Sequence, residues 1–323
     1  MSSPVLSVEN LHVGFDSDDG FVPVLNDVGF QLTRGKTLAL VGESGCGKSL
    51  SALAVLGLLP PFGKVSQGSV MFGETDLTTL GEADMASIRG DRISMIFQEP
   101  MSALNPVFTV GGQIGESLRL HRSATAQDAQ AMAIEMLDSV GIPDPQARSR
   151  DYPHQLSGGM RQRVLIAMAL ACEPDVLIAD EPTTALDVTI QAQIMDLMLD
   201  LQERLGTAIL FISHDFGVVS HMADDIAVMY AGRIVEHGSA AGIIETPRHP
   251  YTRALLETTP RMDISRKTLP AIKGRVPTPE ERGPGCPFQP RCGLASEGCS
   301  GRNPVLSTIS QSHQVACHEV VDA

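Results

Sequence analysis

The stretch Gly42-Glu43-Ser44-Gly45-Cys46-Gly47-Lys48-Ser49 fits the phosphate-binding pattern G-x-x-x-x-G-K-[ST]. Its flanks fit as well. Thr37-Leu38-Ala39-Leu40-Val41 reads as a buried parallel strand, and Leu50 to Leu59 as an apolar helix stopped by Pro60-Pro61. In the order strand, loop, helix, the glycines let successive backbone N–H groups curl towards a phosphate, and the helix N-terminus adds its partial positive charge. Gly42, Ser44, Gly45, Cys46 and Gly47 are expected to line this cradle. Lys48 would reach the β- and γ-phosphates, and the Ser49 hydroxyl suits Mg²⁺. The first expectation is therefore a nucleoside triphosphate site.

Working outward, 323 residues leave room for about two domains, and 43% hydrophobic residues are enough for a substantial core. The chain carries 24 basic and 38 acidic residues, a net charge of −14, which argues against nucleic acid as a partner because phosphate neutralisation needs a basic surface. No apolar run approaches the roughly 18 residues of a spanning helix. Met1-Ser2-Ser3-Pro4 lacks the basic and apolar regions of a secretory signal, so a cytosolic chain is expected. Its six cysteines then read as reduced thiols or metal ligands.

Before the loop, alternating apolar positions (Leu6, Val8, Leu11, Val13; Val22, Val24; Val28, Phe30, Leu32) predict a small antiparallel sheet. Phe15 and Phe21 are candidates to stack on a nucleobase, with core packing the competing role. Past the loop, Gly68–Phe72 and Arg92–Phe97 read as strands. Gln98 follows the second of these, where strand C-terminal ends face the ligand crevice of α/β sheets, and is a candidate Mg²⁺ or water contact. From Pro106 to Val140 the period turns helical. This insertion closes on Leu156-Ser157-Gly158-Gly159, where a hydroxyl and free N–H groups at a helix start make a second anion-binding terminus.

Asp175 to Pro182 is an apolar strand delivering Asp180 and Glu181 at its end: the first suits Mg²⁺, the second suits polarising an attacking water. A helix with an apolar stripe follows Asp187. Thr207–Ser213 is another buried strand, and His214 at its end is a candidate γ-phosphate contact. Ile226–Tyr230 and Arg233–Glu236 form a hairpin about Ala231-Gly232.

Taken in order, the loop at 42–49, Gln98, Leu156-Ser157-Gly158-Gly159, Asp180-Glu181, Asp187 and His214 resemble the motif set of an ABC transporter ATP-binding subunit across roughly residues 5–240. Met160 stands where many such cassettes carry Gln or Glu. The segments Gly42–Gly45, Gln98-Glu99-Pro100-Met101-Ser102-Ala103-Leu104-Asn105-Pro106 and His249-Pro250-Tyr251-Thr252 are similar to the dipeptide/oligopeptide importer ATPases, a group that includes nickel, sugar and opine systems. The resemblance implies an α/β fold: a P-loop NTPase (RecA-like) core with an antiparallel β subdomain and a helical subdomain at about 99–165. The cassette would occupy residues 1–240, and a Pro/Cys-rich C-terminal extension 241–323. It further implies ATP and Mg²⁺, with Glu181, His214 and Gln98 catalytic and Asp187 at the nucleotide. Cassettes would pair head to tail, so that the Ser157 loop completes the partner's site. The implied partners are a paralogous second ATPase, two membrane permeases contacted by the segment after Gln98, and an extracytoplasmic peptide-binding protein. The implied location is the cytoplasmic face of the membrane.

In the extension, repeated prolines interrupt regular structure, and Cys286, Cys292, Cys299 and Cys317 lie at gaps that contain no C-x-x-C pair. Four thiolates suit zinc or an iron–sulfur cluster, with His313 and His318 as further zinc ligands. The Cys-Pro-Phe-x-Pro-Arg-Cys pattern is similar to importer ATPases holding a [4Fe–4S] cluster, so the cluster is the expected occupant and zinc the alternative.

Overall fold

The computed structural model describes residues 3–18, 20–98, 103–184, 186–258, 271–310 and 312–320. Glu99-Pro100-Met101-Ser102, the start of the expected permease-contacting segment, lies outside the described residues. In chain order the elements begin with β1 (Leu6–Ser17), β2 (Gly20–Leu32), β3 (Thr37–Val41), α1 (Lys48–Val55), β4 (Gly63–Phe72), β5 (Thr75–Asp76), α2 (Glu82–Ile88) and β6 (Ile93–Ile96). Next come α3 (Val110–Arg122), α4 (Ala126–Ser139), α5 (Pro145–Arg148), α6 (Gly158–Leu170), β7 (Val176–Asp180), α7 (Val188–Leu205) and β8 (Ala208–Ser213). The last are α8 (Phe216–Met222), β9 (Asp225–Tyr230), β10 (Arg233–Ser239), α9 (Ala240–Glu245), α10 (Pro250–Thr258), α11 (Gly298–Gly301), β11 (Ser307–Ser310) and β12 (His313–Val315).

These elements form two compact units. The first gathers the described residues within 1–5, 32–36 and 80–210, the second those within 6–31, 37–79 and 211–323, so that β8 is divided between them after Leu210.

In the first unit the strand order is β8-β7-β6. Every residue of β7 is buried, as expected for a parallel strand covered on both faces. Strand β6 pairs with it in parallel, Ile96 opposite Ala179. The helical insertion follows its sequence period: Ala129, Ala133 and Leu137 form the buried stripe of α4. Both longer helices of this insertion start on a threonine whose hydroxyl accepts a backbone N–H, Thr109 from Gly112 and Thr125 from Asp128.

In the second unit the expected antiparallel sheet has the order β2-β1-β4-β5, with Leu6 opposite Phe72. The two apolar runs at 22–24 and 28–32 belong to one long strand, β2, which continues through Asp27 at φ 59. A second sheet runs β11-β12-β10-β9-β3, with the end of β8 beside β3. The pairing of β3 with β9 is parallel, and β9 to β10 is the expected antiparallel hairpin.

The C-terminal extension is part of this second unit, and two features bind it there. Strand β12 pairs with β10, placing Val315 opposite Glu236. Glu236 itself is wholly buried. Its Oε1 accepts from the Arg248 N–H (2.6 Å) and lies 2.7 Å from His313 Nε2, while Oε2 accepts from the His249 N–H at 3.0 Å. A buried carboxylate is tolerated because its oxygens are met this way.

His249, also buried, accepts the Tyr251 N–H at Nδ1 (3.0 Å). Burial pushes its pKa down from 6.5 to about 4, so the folded chain holds it neutral where an unfolded chain would protonate it. The unfolded state therefore binds more protons between these values, and this contribution to stability is complete above pH 6.5 and lost as the pH falls towards 4. It is on the order of 3 kcal/mol. Thermal melts of the wild type and His249→Phe across this range should converge on acidification. Parallel curves would show that His249 does not carry the effect.

Candidate functional site

The second unit holds the glycine loop. Strand β3, wholly buried, ends at Val41, and α1 begins at Lys48. Between them the backbone is threaded against its neighbours. A Cβ on Gly42 would lie 2.3 Å from the Met229 carbonyl oxygen, and one on Gly47, which has φ 114, would lie 2.5 Å from Leu25 Cδ2. Only glycine fits both places. Cys46 turns its thiol into the core, so its contribution to the cradle comes from its backbone. Ser44, Gly45 and Ser49 are exposed. The Lys48 side chain is buried to 6% exposure and folds back over the loop, Nζ donating to the carbonyls of Gly42 (2.8 Å) and Glu43 (3.2 Å). The ammonium is thus held at the mouth of the ring of amides rather than trailing into solvent.

In the same unit, His214 follows the end of β8, the neighbour of β3, and is exposed. Phe21 is 39% exposed and covered by Lys64, whose Nζ stands 5.3 Å from the ring centroid. Phe15 is half-buried.

The first unit holds the carboxylate set. Because β6 and β7 run in parallel with Ile96 opposite Ala179, Gln98 and Glu181 each lie two residues past the paired positions. Gln98 Nε2 accordingly donates to Glu181 Oε2 at 3.1 Å, and Thr184 Oγ1 donates to the same oxygen at 3.0 Å. Glu181 has φ 47, a left-handed conformation that disfavours a residue with a Cβ and is typical of positions held for function. Asp180 beside it is buried to 5% exposure. Sequence spacing alone could not show the Gln98–Glu181 bond, which depends on the strand register.

Ser157 and Asp187 occupy helix starts in this unit. Ser157 caps α6, its Oγ accepting the Met160 N–H at 3.3 Å, and the remaining amides of that first turn are those of Gly158 and Gly159. Asp187 caps α7 by accepting from Ile190 N–H at 3.0 Å.

The four-cysteine expectation is corrected here. Among the described residues, no three His, Cys, Asp or Glu side chains are grouped so as to hold a metal ion, which removes both the [4Fe–4S] cluster and the zinc alternative at Cys286, Cys292, Cys299 and Cys317. Their surroundings explain why. Cys292 Sγ accepts the Leu294 N–H at 3.4 Å, and Cys299 Sγ lies 3.7 Å from Ser296 Oγ and 3.9 Å from Glu319 Oε1. Burial raises the thiol pKa values of Cys286, Cys292 and Cys317. The histidines are engaged elsewhere, His313 with Glu236 and His318 Nε2 with the Arg302 carbonyl (3.0 Å).

Comparison with known proteins agrees with the motif order. The profile of the ABC transporter family matches residues 25–184, and that of the oligopeptide/dipeptide transporter C-terminal region matches 235–299. The chain is 50% identical over 97% of its length to the dipeptide transport ATP-binding protein DppD of Bacillus subtilis, 94% of which is covered. It is 48% identical to the oligopeptide transport ATP-binding protein AppD of the same organism, over 98% of this chain and 96% of that one. Among solved structures, the dimeric ATP-binding cassette MJ0796 bound to ADP and Pi is similar at a TM-score of 0.65 and 26% identity, over 73% of this chain and 98% of that one. With the glycine loop, the strand-end carboxylates and both profiles in one chain, the protein belongs to the ABC transporter family, among its dipeptide and oligopeptide transport ATP-binding proteins.

Proposed function

We propose that the chain is the ATP-hydrolysing subunit of an importer of dipeptides or oligopeptides. The observation that carries the peptide assignment is the presence in one chain of the ABC cassette and the oligopeptide/dipeptide C-terminal region, with 50% identity to a dipeptide transport protein across nearly its whole length. No helix among the described residues is long and apolar enough to cross a membrane. The path for the peptide then comes from membrane permease subunits, with this chain bound peripherally on their cytoplasmic side. A paralogous second ATPase and an extracytoplasmic peptide-binding protein complete the assembly.

In this reading, ATP is the substrate and the loop 42–49 receives its phosphates: the amides supply directed donors and Lys48 a positive charge. Ser49 in the second unit, and Gln98 and Asp180 in the first, each carry an oxygen atom suited to a hard cation. Gln98 turns its amide nitrogen to Glu181, so its amide oxygen is the atom that would face a cation. Mg²⁺, if held by these oxygen atoms, would neutralise phosphate charge. Glu181 accepts a proton from the water that attacks the γ-phosphorus, and His214 donates to the developing phosphate charge. Ser157, Gly158 and Gly159 present a helix N-terminus to the nucleotide of a partner cassette, which makes hydrolysis conditional on pairing.

Reconstitution tests the assignment. With its permeases, second ATPase and binding protein in liposomes, ATP hydrolysis should rise several-fold on adding di- or oligopeptides. Stimulation by nickel, opines or other small solutes, without a response to peptides, would move the protein to another branch of the same family.

A further inference from the structure

We propose that the C-terminal extension is a working part of the nucleotide site: Arg291 and Tyr251 are positioning residues that hold Glu43 of the glycine loop and neutralise its charge. The proposal rests on the loop being the ATP site.

Glu43 is a variable position in the motif, and here it places a carboxylate one residue into a loop built to surround a polyanion. Left alone, that charge would oppose ATP. The structure shows what answers it. The Arg291 guanidinium grips Glu43 with both ends, Nη1 to Oε2 at 2.7 Å and Nη2 to Oε1 at 2.9 Å, the paired-fork geometry of a strong charge-assisted contact. The Arg291 side chain is 5% exposed, that of Glu43 28%. The backbone of Glu43 is held as well: its N–H donates to Tyr251 Oη at 2.8 Å. That amide therefore points at the extension, and the phosphate-facing donors are left to the residues after it.

The clamp is itself braced. Arg291 also donates to Tyr230 Oη (3.3 Å) and to the carbonyls of Ile272 (3.3 Å) and Lys273 (2.8 Å). The rings of Tyr230, Tyr251 and Phe288 pack against one another with centroids 4.6–5.3 Å apart. Two of the three tyrosines in the chain are used here, one holding the guanidinium and one the loop amide. A purely structural tie between extension and loop could have used any buried contact. This one puts a charge pair on the residue whose charge would disturb the ligand.

The test uses nucleotide affinity of the full chain, measured by titration with MgATP, and a paired substitution. Arg291→Gln should weaken MgATP binding about tenfold (about 1.4 kcal/mol) and raise KM, with kcat at saturating ATP within about twofold, because an unpaired carboxylate then faces the phosphates. Adding Glu43→Gln to that variant removes the charge and should return affinity to within about twofold of wild type. Tyr251→Phe, which frees the loop amide while keeping the ring, should weaken binding by a few-fold. If Arg291 merely supports the fold, the double variant will bind no better than Arg291→Gln, and that result overturns the proposal, as does an unchanged affinity in the single variant. Thermal melts identify any variant that fails to fold. Should Arg291→Gln do so, the comparison moves to Arg291→Lys, where affinity equal to wild type on a monodentate charge would equally overturn the bidentate clamp. Lys48→Ala run alongside separates the two readings: if it binds MgATP normally, the loop is not the ATP site, whatever Arg291 does.

Discussion

Replacing Lys48 by alanine should weaken MgATP binding by roughly 100-fold or more, about 3 kcal/mol. The side chain is almost fully buried, with Nζ within hydrogen-bond distance of two loop carbonyls. It is therefore already in the place where a phosphate oxygen takes over from a carbonyl as the acceptor. Little side-chain entropy remains to be lost on binding, so nearly all of the charge-assisted interaction counts towards affinity. Alanine removes that charge and leaves the two carbonyl oxygens at the mouth of the cradle, where they repel an anion. Equilibrium titration of the purified chain measures the effect, and affinity equal to wild type would remove the loop from the nucleotide site.

Glu181→Gln should separate binding from chemistry. Affinity for MgATP is expected to stay within a few-fold of wild type while turnover falls by roughly 10²–10³, the usual range for loss of a general base. The glutamine side chain keeps an oxygen to accept from Gln98 and Thr184, the contacts that position Glu181 at 3.1 and 3.0 Å, but its amide cannot take a proton from water. The left-handed backbone at this residue adds a reason to choose the isosteric change: it leaves the strained turn in place, so a fall in turnover reports on the carboxylate. Steady-state hydrolysis and nucleotide titration on the same preparation decide the matter. Turnover close to wild type would take Glu181 out of the catalytic step.

The strands that carry the site were legible because their physics is local. Continuous apolar runs such as Leu177-Ile178-Ala179 are what a strand buried on both faces requires, and the polar residues ending those runs mark the sheet edge where a ligand binds. The helical insertion was legible through its stripe at Ala129, Ala133 and Leu137. Features that depend on partners distant in sequence were not. Strand β12 has only three residues, His313 to Val315, and owes its existence to pairing with β10. Arg291 and Glu43 are separated by 248 positions, and no periodicity links them. The cysteines misled for the same reason: their spacing in the chain was compatible with a metal site, while among the described residues no three His, Cys, Asp or Glu side chains are grouped so as to hold a metal ion. Asp187, legible by its place in the motif order, also starts a helix.

The addition of β12 and β11 to β10 also bears on how the isolated chain behaves in solution. Without residues beyond Ser239, β10 would form the rim of its sheet, a seven-residue strand with most of its length buried in the intact protein, and its unpaired amides and carbonyls would offer a template to another chain. The intact protein moves that rim outward to β11, four residues of serine, threonine and isoleucine that are mostly exposed. A short polar rim is a poor template for intermolecular pairing. The extension thus shields the β10 edge from pairing with another chain, and a fragment cut at the end of the cassette motifs should be prone to aggregate even where its nucleotide loop is intact.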